Sequence, residues 1–131
     1  MARAIKFRAW SKKYNTYFEL SGLHYESGKI DGVFAISGIL AGIPNVIFLE
    51  PEDIVLEQYT GLKDKNGKEI CEGDMVRWVD DYDENAYIGF DEGCFWVNWP
   101  INSERINGEM ADDVEIIGNI HENPELLEGE K

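Results

Sequence analysis

Gln58-Tyr59-Thr60-Gly61-Leu62-Lys63-Asp64-Lys65-Asn66-Gly67-Lys68-Glu69-Ile70-Cys71-Glu72-Gly73-Asp74-Met75-Val76 holds two tight-turn signals on either side of one apolar anchor. Asn66-Gly67 is a strong turn pair, because Gly reaches φ > 0 at little cost and Asn tolerates it. Glu72-Gly73-Asp74 is the second turn, and it leads into the apolar run from Met75. Ile70 anchors a core between them while Lys63, Lys65 and Lys68 face water. Tight turns select Gly, Asn and Asp for backbone reasons. Tyr59, Gly61, Gly67, Ile70, Gly73, Asp74 and Val76 are therefore expected to build the fold rather than to touch a ligand.

Outward from this stretch the same grammar repeats. Ala4 to Trp10 alternates, with Ile5, Phe7 and Ala9 on one face and Lys6 and Arg8 on the other, the period of a half-buried strand. Ser11 to Asn15 reads as a turn and Tyr17 to Leu20 as its returning strand. Glu26-Ser27-Gly28-Lys29 is another turn. Gly32 to Ile39 and Val46 to Leu49 read as two buried strands around a turn at Gly42-Ile43-Pro44-Asn45. Ile54 to Tyr59 is a strand, with a short helical turn as the alternative because Pro51 suits a first helical position. Ala86 to Phe90, Cys94 to Trp99 and Val114 to Ile117 are strands, with Asp91-Glu92-Gly93 turning the chain between the first two. Asn102 to Ala111 is polar and irregular, and Glu125-Leu126-Leu127 is a short helical tail. Turns every eight to twelve residues predict a barrel or sandwich.

The 131 residues suit one domain or two small β units sharing a core. The net charge is −14, from 12 Lys and Arg against 26 Asp and Glu. Residues 1–77 hold ten basic and eleven acidic residues, whereas residues 78–131 hold two basic and fifteen acidic ones. A field of that sign disfavours nucleic acid, whose binding rests on cations that neutralise phosphate. Cys71 and Cys94 are too few for a disulfide scaffold or a four-ligand zinc site, and two reduced thiols fit a cytoplasmic setting. The first residues lack the apolar core of a signal peptide. Gly32 to Leu49 is uncharged over eighteen residues, but its three glycines, Pro44 and acidic flanks argue against a membrane span.

The quoted stretch resembles the hallmark of the YopX family, small proteins found in phages and prophages. Ile5-Lys6-Phe7-Arg8-Ala9-Trp10, Cys94-Phe95-Trp96-Val97, and Glu115-Ile116-Ile117-Gly118-Asn119-Ile120-His121-Glu122-Asn123-Pro124-Glu125-Leu126-Leu127 resemble the same family in the same order. The resemblance implies a mostly β protein. It implies an SH3-like carboxy-terminal half, and with the strand periodicity the expected architecture is an N-terminal antiparallel β-region over residues 1–56 packed with an SH3-like small barrel over residues 57–131, ending in an acidic tail and a short C-terminal helical turn. It implies no catalytic residue, cofactor or metal.

The residues point the same way. His24 and His121 lie far apart, and the chain has neither a Gly-x-Ser-x-Gly elbow nor a Gly-Lys-Ser/Thr phosphate loop, so no enzyme is expected. Asp64-Lys65-Asn66-Gly67 looks like a calcium loop, yet Gly73 stands where the bidentate Glu is needed. Asp80-Asp81-Tyr82-Asp83-Glu84 reads as a solvated loop. Trp78, Trp96 and Phe90 are assigned to the barrel core. Trp96 and Trp99 fall on opposite faces of an undistorted strand, and Trp99, beside Pro100, is expected at the surface. Trp99, Tyr82 and Tyr87 are thus the candidate interaction residues.

The expected function is a phage-type accessory module acting through protein contacts with an unidentified phage or host protein, and as a homo-oligomer. The alternatives are an acidic nucleic-acid mimic directed at host enzymes, or a weak nucleic-acid-binding module using Lys6, Arg8, Lys12, Lys13 and Lys63.

Overall fold

Three of the hairpins turn on the same two-residue device. Ser27-Gly28, Ala41-Gly42 and Glu92-Gly93 all have positive φ at both positions (55° and 84°, 52° and 80°, 52° and 77°). That is the type I′ geometry, whose twist matches that of the strands it joins. The structure is a computed structural model that describes residues 5–78, 85–100 and 102–128. It is mostly β, with eleven strands among the described residues.

The first compact unit is Lys6–Glu57. It holds β1 (Phe7–Ser11), β2 (Thr16–Glu26), β3 (Lys29–Leu40), β4 (Ile43–Leu49), a 3-10 turn over Pro51–Asp53 and the start of β5 (Ile54–Lys63). The sheet order is β4-β3-β2-β1-β5, all antiparallel where register is defined. Ala9, Val33, Ala35 and Leu49 form the core, with Phe18, Leu20, Leu23, Ile47, Ile54 and Leu56 packed on it.

β1 is a central strand, and this changes its reading. Alternation predicted one wet face, yet Ala9, Trp10 and Ser11 are all buried. Arg8 also leaves bulk water: its guanidinium meets the Glu57 carboxylate at 2.9 Å and lies over the Tyr17 ring at 4.1 Å. Tyr17 donates a second hydrogen bond to Glu57, also at 2.9 Å. Three strands thus converge on one carboxylate that is 2 % exposed.

The second unit takes in the chain from Gln58 onward. β5 runs into it and pairs with β6 (Glu69–Cys71). β7 (Asp74–Trp78), β8 (Asn85–Asp91), β9 (Cys94–Asn98), β10 (Ser103–Arg105) and β11 (Val114–Asn119) form a five-stranded sheet ordered β10-β9-β8-β7-β11. The last strand lies beside the first, and one helical turn, α1 (Gly108–Ala111), precedes it. This is the strand order of an SH3-like barrel. Asn107 caps α1 by accepting from the Met110 amide. Ile70, Val76, Ala86, Ile88, Val97, Ala111 and Val114 make the core. The segment read as irregular, Asn102 to Ala111, thus contains β10 and α1. A 3-10 turn over Pro124–Glu128 ends the described chain, where a helical tail was expected.

The hairpin read from Gly32 to Leu49 is present, with two corrections. Its turn is Ala41-Gly42, and Pro44 sits inside β4 opposite Ile39. Its strands are not both buried. Ile39, Leu40 and Ile43 are 71 %, 80 % and 69 % exposed, because the hairpin runs on past the core formed by Val33, Ala35 and Leu49.

Candidate functional site

The hallmark residues are occupied with the fold. Tyr59, Ile70, Asp74 and Val76 are buried, and Gly61, Gly67 and Gly73 all have positive φ (93°, 83° and 89°). Asp74 accepts the Cys71 amide at 2.7 Å. Asp64 does more than the turn reading assigned to it. One carboxylate oxygen accepts the Asn66 and Lys68 amides at 2.8 and 2.9 Å, and the other accepts the Ile116 amide of β11 at 3.0 Å. Burial pushes this carboxyl up, but the three amides, helped by the Lys68 charge, outweigh it and hold it below its ordinary value. Its oxygens are committed to backbone donors and do not form a calcium loop.

The tryptophans exchange their expected places. Trp96 and Trp99 are both half-buried. Trp99 has the parity of Val97, which is wholly buried, so it leans on the core and stacks against Trp78 at 5.1 Å. Trp96 lies on the outer face, its indole N–H donating to the Asp91 carbonyl at 2.9 Å. Phe90, assigned to the core, is 51 % exposed. It shares the core-side parity of Ile88 but stands next to the turn, beyond the packed region, against Phe95 at 5.0 Å. Tyr82 lies outside the described residues. Tyr87 and Trp96 flank Gly89 in a groove of about 480 Å³, bordered by Asp91 and Glu92.

The β3–β4 hairpin of the first unit presents the larger apolar surface. Pairing sets Phe34 against Phe48, Ile36 against Val46, and Ile39 against Pro44. Strand alternation, with the extra residue Ser37 absorbed as a bulge, puts all six on the face opposite the core. Leu40 and Ile43 pair at the tip on the other face. Among large apolar residues of this face, Phe34, Ile39, Val46 and Phe48 are exposed. Phe34 and Phe48 touch ring to ring at 5.2 Å, and the His24 ring stands edge-on to both. Gly32 makes this possible: at its φ of +144°, a Cβ would run into the Phe48 ring. Gly32→Ala is expected to destabilise the first unit by about 1–3 kcal/mol through backbone strain and displacement of Phe48. An unchanged urea midpoint would contradict the close Gly32–Phe48 packing.

His24, Glu26 and Asp31 bring one ligand-type atom each to within 4.8 Å of one another. Asp31 is the extra residue of a bulge opposite His24–Tyr25, which aims it at His24. The His24 Nδ1 to Asp31 distance is 3.8 Å, too long for a hydrogen bond. One nitrogen and two carboxylates suit a divalent cation in kind, but both His24 and Asp31 are about half exposed. This trio was invisible in the sequence, since a bulge is needed to bring Asp31 into place.

A family model described as YopX protein matches residues 6–128. The chain belongs to the YopX family. The crystal structure of protein EF1440 from Enterococcus faecalis is similar over 96 % of this chain and 99 % of that one, with a TM-score of 0.69 and 30 % sequence identity. No curated protein matches. In this YopX-family chain the hallmark residues serve turns and core. Among the described residues, the Gly89 groove of one unit and the apolar hairpin of the other are exposed surfaces that the hallmark does not use.

Proposed function

We propose that this YopX-family chain is a non-enzymatic accessory protein of phage or prophage type, working in the host cytoplasm as a protein-interaction or assembly module. The observation that carries this reading is the apolar β3–β4 hairpin. Six large apolar residues of one hairpin, Phe34, Ile39, Leu40, Ile43, Val46 and Phe48, are more than a third exposed. Four of them share the face opposite the core, and Leu40 with Ile43 carry the apolar surface round the tip; exposed apolar surface of several hundred Å² marks contact regions on soluble proteins. The stretch that forms it, Gly32 to Leu49, has no charge of its own in a chain of net charge −14.

A photo-crosslinking amino acid placed at Ile39 in expressing cells tests the reading. A defined protein adduct at Ile39, absent when the probe replaces exposed Glu104, is the expected result. Absence of any protein adduct at Ile39 would overturn the reading.

A further inference from the structure

We infer that the β3–β4 hairpin is the face on which two copies of this chain associate. This rests on the reading of the hairpin as a contact element and names its occupant.

Three observations select a second copy. The first is area. A whole residue of this size offers roughly 200 Å², so the exposed fractions of Phe34, Ile39, Leu40, Ile43, Val46 and Phe48 amount to about 700 Å² per copy. Burying this on both copies removes about 1,400 Å², inside the range of specific interfaces. The four residues on the face opposite the core supply little more than half. Face-to-face contact alone would total about 800 Å², the size of a lattice contact. A stable pair therefore engages Leu40 and Ile43 at the tip as well.

The second observation is charge. In a two-fold interface the same patch serves both copies, so a carboxylate near the axis meets its own image. Gly32–Leu49 is a long uncharged segment of this chain, and the carboxylates on the same face, Glu19 opposite Ile36 and the Glu26 and Asp31 groups beside His24, sit on β2 and at the base of the hairpin, so an axis near Ile39 and Pro44 at the tip keeps them at the rim. A patch meeting a basic partner would instead profit from acids at its centre.

The third is the edge. β4 is the terminal strand of its sheet. Pro44 lies inside β4 and has no N–H, so its nitrogen takes a position that faces away from β3. That removes a donor from the open edge and blunts strand addition by an arbitrary peptide. Val46 and Phe48, in phase with Pro44, keep their edge-facing amides, so the blunting is local to the tip, where side-chain packing against the complementary apolar hairpin of a second copy takes over.

Light scattering coupled to size exclusion, on the full chain over a hundredfold dilution series, tests this. Wild type is expected at twice 15.0 kDa, with the dimer unweakened by added salt, because screening relieves repulsion between acidic copies. Ile39→Lys with Leu40→Lys is expected at 15.0 kDa at every concentration, with an unchanged circular dichroism spectrum. The milder Ile43→Ser is expected to weaken dimerisation at least tenfold and covers the case in which the double variant misfolds. Phe90→Lys, an exposed aromatic of the other unit, is expected to remain dimeric. A wild-type monomer throughout, or a dimer that survives both hairpin variants, would overturn the proposal. A monomer that crosslinks through Ile39 to a different protein would overturn the second copy alone and leave the interaction module standing. A monomer that floats with neutral phosphatidylcholine vesicles would reassign the hairpin to a lipid surface.

Discussion

Arg8→Ala is expected to lower the stability of the first unit by about 2–4 kcal/mol, somewhat under the range for removing one partner of a fully buried ion pair, because the Arg8 side chain stays 24 % exposed. Glu57 is 2 % exposed and takes both the Arg8 guanidinium and the Tyr17 hydroxyl at 2.9 Å. Without Arg8 the carboxylate keeps the Tyr17 hydroxyl but loses the Arg8 charge, which helps to offset its desolvation. The Tyr17 ring also loses the guanidinium stacked on it at 4.1 Å. Tyr17→Phe removes one charge-assisted hydrogen bond and is expected to cost about 1.5–3 kcal/mol. Arg8→Met with Glu57→Leu replaces the pair by apolar groups and is expected to recover most of the loss, since such replacements are often close to neutral. Urea denaturation of the three variants measures this. A loss under about 1 kcal/mol for Arg8→Ala would place the pair among solvated surface bridges and refute its burial.

Asp64→Ala is expected to cost the second unit about 3–5 kcal/mol, because it strips the acceptor from three backbone amides at once. Those amides belong to Asn66, Lys68 and Ile116, so the carboxylate ties the turn after β5 to β11 across 52 residues of sequence. The loss has a pH signature. The folded carboxyl lies below its ordinary value, so on acidification the unfolded chain takes up the proton first. The stabilisation is therefore complete above the unfolded value of about 3.9 and fades as pH falls through the folded value. The difference between wild type and Asp64→Asn is expected to be constant near neutrality and to shrink below about pH 4. Parallel urea titrations from neutral pH downward would read it. A difference that stays flat to the lowest pH at which both proteins fold would show that the amides do not favour the ionised form.

Much of the fold was legible because it is local. Asn66-Gly67, Ser27-Gly28 and Glu92-Gly93 carry their own backbone preference, and each marks a bend in the structure. The hairpin turn was misplaced by Pro44, which is as much an edge-strand residue as a turn residue. Asp64 was read for its neighbours in sequence, whereas half of its work is done on Ile116. Phe90 and Trp99 were misassigned because alternation says which face a residue takes, not where along the strand the core ends. The candidate contact surface shows the same limit. Gly32–Leu49 read as a buried hairpin on its apolar content, and only the tertiary structure shows that its tip and its outer face lie beyond the core formed by Val33, Ala35 and Leu49.

The chain's own residues determined the β class, most of the turns, the family resemblance and the sign of the field around the protein. Those follow from φ preference, side-chain alternation and charge, which act over a few residues or over the whole chain. Only the tertiary structure decided that β1 is covered on both faces, that Glu57 collects Arg8 and Tyr17, that Asp31 bulges toward His24, and that the hairpin overhangs its core. Each of those depends on which strands become neighbours. Pairing partners 40 or more residues apart are selected by the packing of the assembled sheets, and no short window of sequence contains that packing.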